Sequence, residues 1–212
     1  VIIAVDGPVA AGKGTLARAL AAKLGLAYLD TGSLYRAVAA MTLAAGEAPD
    51  DEAATEAVAR RLTPADLERD DLRREEVGQA ASLVAAQSRV RAALLDFQRR
   101  FAHHPPAGTK GAVLDGRDIG TVVCPDAEAK LFVTASPEVR AERRYRELLA
   151  RGEEIIYPRV LQDLKERDAR DQAREVAPLR PAEDAAILDT SELDADAALQ
   201  AAMQILQDRG LR

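Results

Sequence analysis

The chain opens on an unbroken apolar run, Val1-Ile2-Ile3-Ala4-Val5, short and rich in β-branched residues. A run without polar alternation predicts a strand buried on both faces of a parallel sheet. The same signature returns as Leu26-Ala27-Tyr28-Leu29, Gly111-Ala112-Val113-Leu114-Asp115, Ala129-Lys130-Leu131-Phe132-Val133 and Ala185-Ala186-Ile187-Leu188-Asp189. Between these runs the spacing is helical. A helix starts near Lys13 and ends at Gly25, a natural C-cap; Ser136-Pro137-Glu138 combines a cap with a proline at the first helical position. Leu199, Met203 and Leu206 mark one face of a closing helix. From Ser33 to Ala45 and from Asp51 to about Phe101 the pattern is mostly helical, with breaks at Gly46 to Pro49, near Thr63-Pro64 and at His103 to Gly111.

Five short strands separated by helices predict an α/β fold: a five-stranded parallel sheet with helices on both faces and ligands at the carboxyl ends of the strands. Asp6, Asp30 and Asp115 fall at that rim, where each alone could equally cap the following helix. The 212 residues suit a single domain over 1–212. A formal net charge of −6 offers no broad attraction to nucleic acid or an anionic membrane, so an anion site must be local. The single cysteine, Cys124, excludes an intramolecular disulfide, and no apolar run approaches the ~20 residues of a membrane span. Val1 to Val5 runs straight into a glycine-rich loop and is read as a strand, not a leader. A soluble, cytoplasmic monomer is expected.

The local anion site is Gly7-Pro8-Val9-Ala10-Ala11-Gly12-Lys13-Gly14-Thr15, a phosphate loop between a strand and a helix. Its glycines let successive backbone N–H groups converge on phosphate oxygens at a helix N-terminus, and Lys13 adds a point charge where charge moves during transfer. Lys13 is therefore the first catalytic candidate. In the strict motif a Ser or Thr follows the lysine; here Gly14 intervenes, so Thr15 becomes the candidate hydroxyl for magnesium. Asp115, ending an apolar strand, is the candidate carboxylate, acting through metal-bound water. Arg167, Arg170 and Arg174 share one helical stripe, which spacing alone assigns to a solvated face with Glu166 and Asp171 as i,i+4 partners. Arg140 and Arg144 are likewise read as solvated, His103 and His104 as exposed, and Ser82, taken alone, as a packing residue.

Gly12-Lys13-Gly14-Thr15 is typical of nucleoside monophosphate kinases. Asp30-Thr31-Gly32-Ser33-Leu34-Tyr35-Arg36, Asp115-Gly116-Arg117-Asp118-Ile119-Gly120-Thr121-Val122-Val123 and Lys165-Glu166-Arg167-Asp168-Ala169-Arg170-Asp171-Gln172-Ala173-Arg174 narrow the likeness further. With Ala80-Ala81-Ser82 and Val90-Arg91 between them, the chain resembles the bacterial cytidylate kinases in the right order over nearly its whole length. The resemblance implies transfer from ATP, with Mg2+, to CMP or dCMP. It implies an acceptor-binding insert at about 32–102 and a helical lid at about 153–176. Arg36, Arg117 and Arg174 match positions that grip the acceptor phosphate; Ser82, Arg91 and Asp118 match those that read cytosine. Arg167 and Asp171 match those that hold the sugar, while Thr31 and Tyr35 fall in the acceptor-side motif. Lys13, Arg117, Arg167, Arg170 and Arg174 would surround the moving phosphoryl group. Cytosine presents an amine beside two acceptors, which a carboxylate, a hydroxyl and an arginine complement. The family's insert often carries a small β-element; here Gly46 to Glu76 reads as helix and loop. A P-loop kinase for UMP, AMP or dTMP would need another acceptor pocket, and a nucleotide switch would carry an Asn-Lys-x-Asp loop, which this chain lacks.

Overall fold

In the computed structural model, which describes residues 1–211, the first apolar run becomes β1 (Ile2–Asp6), buried at every position. It leads through the glycine-rich loop into α1 (Lys13–Leu24), then β2 (Ala27–Asp30), α2 (Thr31–Ala44) and α3 (Glu52–Arg60). Two 3-10 turns, Pro64–Glu68 and Asp70–Arg73, precede α4 (Glu75–Val84) and α5 (Ser88–His103). After β3 (Ala112–Gly116) comes a π-helical turn, Ile119–Val123, which the sequence pattern did not anticipate. β4 (Ala129–Thr134), α6 (Pro137–Ala150), α7 (Tyr157–Gln172), β5 (Ala186–Asp189) and α8 (Ala195–Asp208) complete the chain.

All four strand pairings are parallel, in the order β2-β3-β1-β4-β5. Asp6 lies in register with Gly116 on one side and Phe132 on the other, and Asp30 with Asp115. The predicted rim of aspartates therefore exists. Because the chain leaves β1 toward β2 and β3 on one side and toward β4 and β5 on the other, a crevice opens where β1 meets its loop.

One face of the sheet packs Ile3, Val5, Leu131 and Val133 against Leu16 and Leu20 of α1 and Leu206 of α8. The other packs Ile2, Ala4, Leu29 and Leu114 against Ile119, Val123 and Ala102. Truncating a fully buried leucine such as Leu20 in such a core costs about 2–5 kcal/mol. A separate core of Leu34, Val38, Val58, Val84, Val90 and Leu94 holds α2 to α5 together. β5 departs from the buried-strand expectation: it is an edge, and Ile187 is 56% exposed. The caps follow the sequence. Gly25 ends α1 in the left-handed conformation at φ 67, and the Ser136 hydroxyl accepts from Val139 N at the start of α6.

At the loop, Gly7 has no room for a side chain: a Cβ there would stand 2.0 Å from the Val133 carbonyl oxygen of β4. The obstruction is backbone, so no rotamer relieves it. Gly7→Ala should therefore destabilise the protein by about 3 kcal/mol or more, measured by urea unfolding. A midpoint equal to that of the wild type would show that β4 yields and that the contact is not a constraint.

Candidate active site

Lys13 opens α1 and brings its ammonium 3.8 Å from the Asp115 carboxylate at the end of β3. The Tyr28 hydroxyl, from β2, donates to Asp115 Oδ2 at 2.7 Å, and the Arg18 guanidinium lies 5.1 Å from the Tyr28 ring centre. This cluster explains Gly14. A Cβ at position 14 would meet Asp115 Oδ2 at 3.2 Å and the Tyr28 oxygen at 3.8 Å, so the usual hydroxyl residue would crowd the pair. Thr15, one position on, lines the cavity instead. Burial, then the neighbouring Arg117, depresses the Lys13 ammonium to about 8, although Asp115 and Asp30 oppose the shift. Burial likewise raises the Asp115 carboxyl against the pull of Lys13. Both shifts run opposite to those of a tight ion pair, because at 3.8 Å the attraction does not offset desolvation.

Across the cavity from this cluster, Asp171 of α7 is a hub. Its carboxylate accepts from Ser82 Oγ of α4 at 3.2 Å, from Arg117 Nε at 3.0 Å and from Arg174 at 2.5 Å. Burial alone would raise this carboxyl; Arg117, Arg174 and Arg167 together hold it below the usual range. Arg91 of α5 pairs with Asp118, both buried, and its guanidinium lies 5.5 Å from the Tyr35 ring centre. Arg36 pairs with Asp30, whose carboxylate also accepts from Ser33 N and so caps α2. Asp6 accepts from Ile119 N and Gly120 N, both at 2.8 Å, and burial pushes it up to about 7. Of the three rim aspartates, two tie down neighbouring backbone and Asp115 faces the lysine.

These groups line one cavity of about 340 Å³, which gathers Val9, Lys13, Gly14, Thr15, Tyr35, Arg36, Ser82, Arg91, Asp115, Arg117, Asp118, Arg167, Asp171 and Arg174. Gly7, Pro8, Ala10, Ala11 and Gly12 form the loop beside it, braced where the Thr190 hydroxyl donates to the Ala11 carbonyl at 2.9 Å. Arg167 is the outstanding charge. Its Nε has no hydrogen-bond partner, and among the described residues no carboxylate lies within ion-pair distance of it. Burial, then Arg117, lowers it to about 10. A cavity holding Arg167, Arg117 and Lys13 with too little negative charge is built to receive polyanionic groups.

Two anticipated site residues stand apart. Thr31 turns its hydroxyl to the Asp115 carbonyl, 2.8 Å away, and Arg170 donates to Gln79 of α4 at 2.8 Å; neither lines the cavity. The solvated reading of Arg140 and Arg144 is overturned. Arg140 is 4% exposed and bonded to Asp168 of α7, while Arg144 pairs with Glu75 and Glu147. His103 and His104 are exposed, as expected. Sequence reading missed Tyr28, Thr190 and Arg140. Tyr28 carried a usable signal: it shares a strand face with Asp30 two residues on.

A family model described as cytidylate kinase matches residues 3–208. The chain is 64% identical over 205 residues to the cytidylate kinase of Paramagnetospirillum magneticum, covering 97% of both chains. It is 61% identical over 208 residues to that of Xanthobacter autotrophicus, covering 98% of both. Among solved structures, an uncharacterized protein from Eubacterium ventriosum shares the fold with a TM-score of 0.56 at 14% identity, covering 98% of both chains.

Lys13 should titrate near 8 in the ligand-free protein and return toward 10.5 when an anion supplies the missing charge. The proton is lost as pH rises through 8, so affinity for pyrophosphate should fall above that pH. Lys13→Arg, which keeps its proton over this range, should lack the fall centred near 8. Calorimetric titrations from pH 6.5 to 9.5 test this, and a flat wild-type profile would contradict the assignment.

Proposed function

The chain belongs to the cytidylate kinase family, and we propose that it transfers the γ-phosphoryl group of ATP to CMP and dCMP, giving CDP and dCDP for pyrimidine nucleotide metabolism. One observation carries this reading: a phosphate loop with an under-neutralised Lys13 and Arg167 opens into the same cavity as Ser82, Arg91 and Asp118. The first set suits a triphosphate, the second a cytosine edge.

An oxygen of the CMP phosphate, already ionised at neutral pH, attacks the γ-phosphorus, and the bond to the bridging oxygen breaks to release ADP. No general base is required. Lys13 and Arg167 meet the charge on the moving group, with Arg117 near both. Arg36, Arg117 and Arg174 hold the acceptor phosphate, with Arg167 and Asp171 at the sugar. Thr31, locked to the Asp115 carbonyl, acts by shaping the acceptor wall. Arg170, bonded to Gln79, acts by docking α7. The Thr15 hydroxyl and the Asp115 carboxylate are hard oxygen donors at the cavity and fit a magnesium ion that keeps several waters. Such an ion would neutralise phosphate charge; Tyr28 and Lys13 orient the carboxylate that would hold it.

In this reading residues 32–102 form the acceptor-binding insert and residues 153–176 the lid. The separate core of the insert helices supports treating them as a body that closes against the sheet. Docking of α7 through Asp171 excludes water from the transfer, and its release sets product departure. The enzyme is taken as a cytoplasmic monomer.

The test is coupled ADP release with ATP and Mg2+ against CMP, dCMP, UMP, AMP, dTMP and shikimate. CMP and dCMP should be preferred over UMP by about ten- to hundredfold, because uracil sets an acceptor against the Asp118 carboxylate, an unpaired contact worth ~1–3 kcal/mol. Lys13→Ala should lower turnover by about a hundredfold or more. Preferred turnover of AMP or dTMP would overturn the acceptor assignment, and no transfer to any acceptor would overturn the kinase reading.

A further inference from the structure

Arg140 stands one turn into α6, close to the positive end of the helix, where a cation is electrostatically disfavoured. It is nonetheless buried, and its guanidinium is held on three sides. Nε donates to the Ala135 carbonyl at 2.9 Å, at the end of β4, and Nη1 donates to the Val9 carbonyl of the phosphate loop at 3.2 Å. Nη1 and Nη2 together grip both oxygens of Asp168 on α7, at 3.2 and 2.6 Å. Asp168 is the residue after Arg167. One planar group therefore joins the backbone that would cradle phosphate to the helix that carries the unpartnered cation.

We propose that Arg140 and Asp168 form a positioning pair that sets Arg167 against the phosphate loop, so that the lid arginine arrives at the transferring phosphoryl group in register with the backbone N–H groups. The proposal rests on the reading above in which Arg167 acts on that group. A fold-stabilising role alone accounts poorly for the pair. Side chains 5% and 15% exposed have given up much of their hydration, and a buried ion pair replaced by apolar residues of similar size is often neutral or stabilising. α6 and α7 also have apolar anchors in Leu148, Val160 and Leu164, which are buried without the pair. What the forked geometry adds is registry: bidentate contact fixes both distance and orientation, and a lysine at 140 could not reach the Val9 carbonyl and both Asp168 oxygens together.

The experiment is a kinetic cycle on the full chain with ATP, Mg2+ and CMP. The apolar replacement Arg140→Met with Asp168→Leu should leave the melting midpoint within a few degrees, lower kcat by about ten- to hundredfold and change KM for CMP less than threefold. The isosteric Asp168→Asn, retained in case the double variant does not fold, should lower kcat about five- to tenfold. In an Arg167→Met background both losses should vanish, because nothing remains to be positioned. Losses that multiply fully with that of Arg167→Met would overturn the proposal by showing an independent structural effect, and unchanged kcat in both variants would overturn it outright. If Arg167→Met itself leaves kcat unchanged, the role of Arg167 falls and the positioning pair falls with it.

Discussion

The structure is organised around one buried carboxylate, Asp171, and the arginines that converge on it. A single negative group, 1% exposed, accepts from Arg117 of the β3 loop, from Arg174 beyond α7 and from Ser82 of α4. Three segments far apart in sequence are thereby fixed on one point. Removing Asp171 would strip Arg117 and Arg174 of their shared carboxylate, which is the costly way to break a buried network. Yet one carboxylate does not balance the site. Arg167 stays without an ionic partner among the described residues, and Lys13 has only a long contact with Asp115. The depressed affinity of both for protons expresses the same deficit.

The sheet makes that arrangement possible. Because every pairing is parallel, the ends of β1, β2 and β3 bring Asp6, Asp30 and Asp115 to one rim, and backbone constraints then divide their duties. Asp30 is drawn to the start of α2 and to Arg36, and Asp6 to the two N–H groups that begin the π-helical turn. Asp115 begins no helix of its own, so its side chain remains free to face Lys13 and Tyr28. The displaced hydroxyl of the phosphate loop has the same origin, since the space at position 14 is already claimed by that carboxylate.

Much of this was readable in the chain because it depends on local chemistry. Strand runs, the phosphate loop, the Gly25 and Ser136 caps and the order of the four matched blocks are written in adjacent residues. The contacts that failed to show are between residues distant in sequence. Arg140 and Asp168 lie 28 positions apart, and helical spacing alone gives each an ordinary place on a solvated stripe. A clue was present at Arg140: a cation one turn past an N-cap runs against the helix dipole and implies a specific partner. Thr31 and Arg170 show the opposite situation. Each belongs to a block that resembles a binding motif, but the first is occupied by the Asp115 carbonyl and the second by Gln79. Motif membership identified the neighbourhood and not the direction of each side chain.

The same charge deficit links binding to closure. In the ligand-free state, burying Lys13 and Arg167 opposes docking of α7, because each loses hydration without gaining a full counter-charge. Phosphate oxygens supply that charge, so a nucleotide in the cavity stabilises the docked helix more than the undocked one, and the equilibrium shifts by that difference. In the proposed reading, donor phosphates alone would satisfy Lys13, and the acceptor phosphate would be needed for Arg36, Arg117 and Arg174. In that reading residues 153–176 act as a lid, and cations matched only when both polyanions are present would make it close most firmly on the pair that can react, and least on a donor that water would otherwise attack.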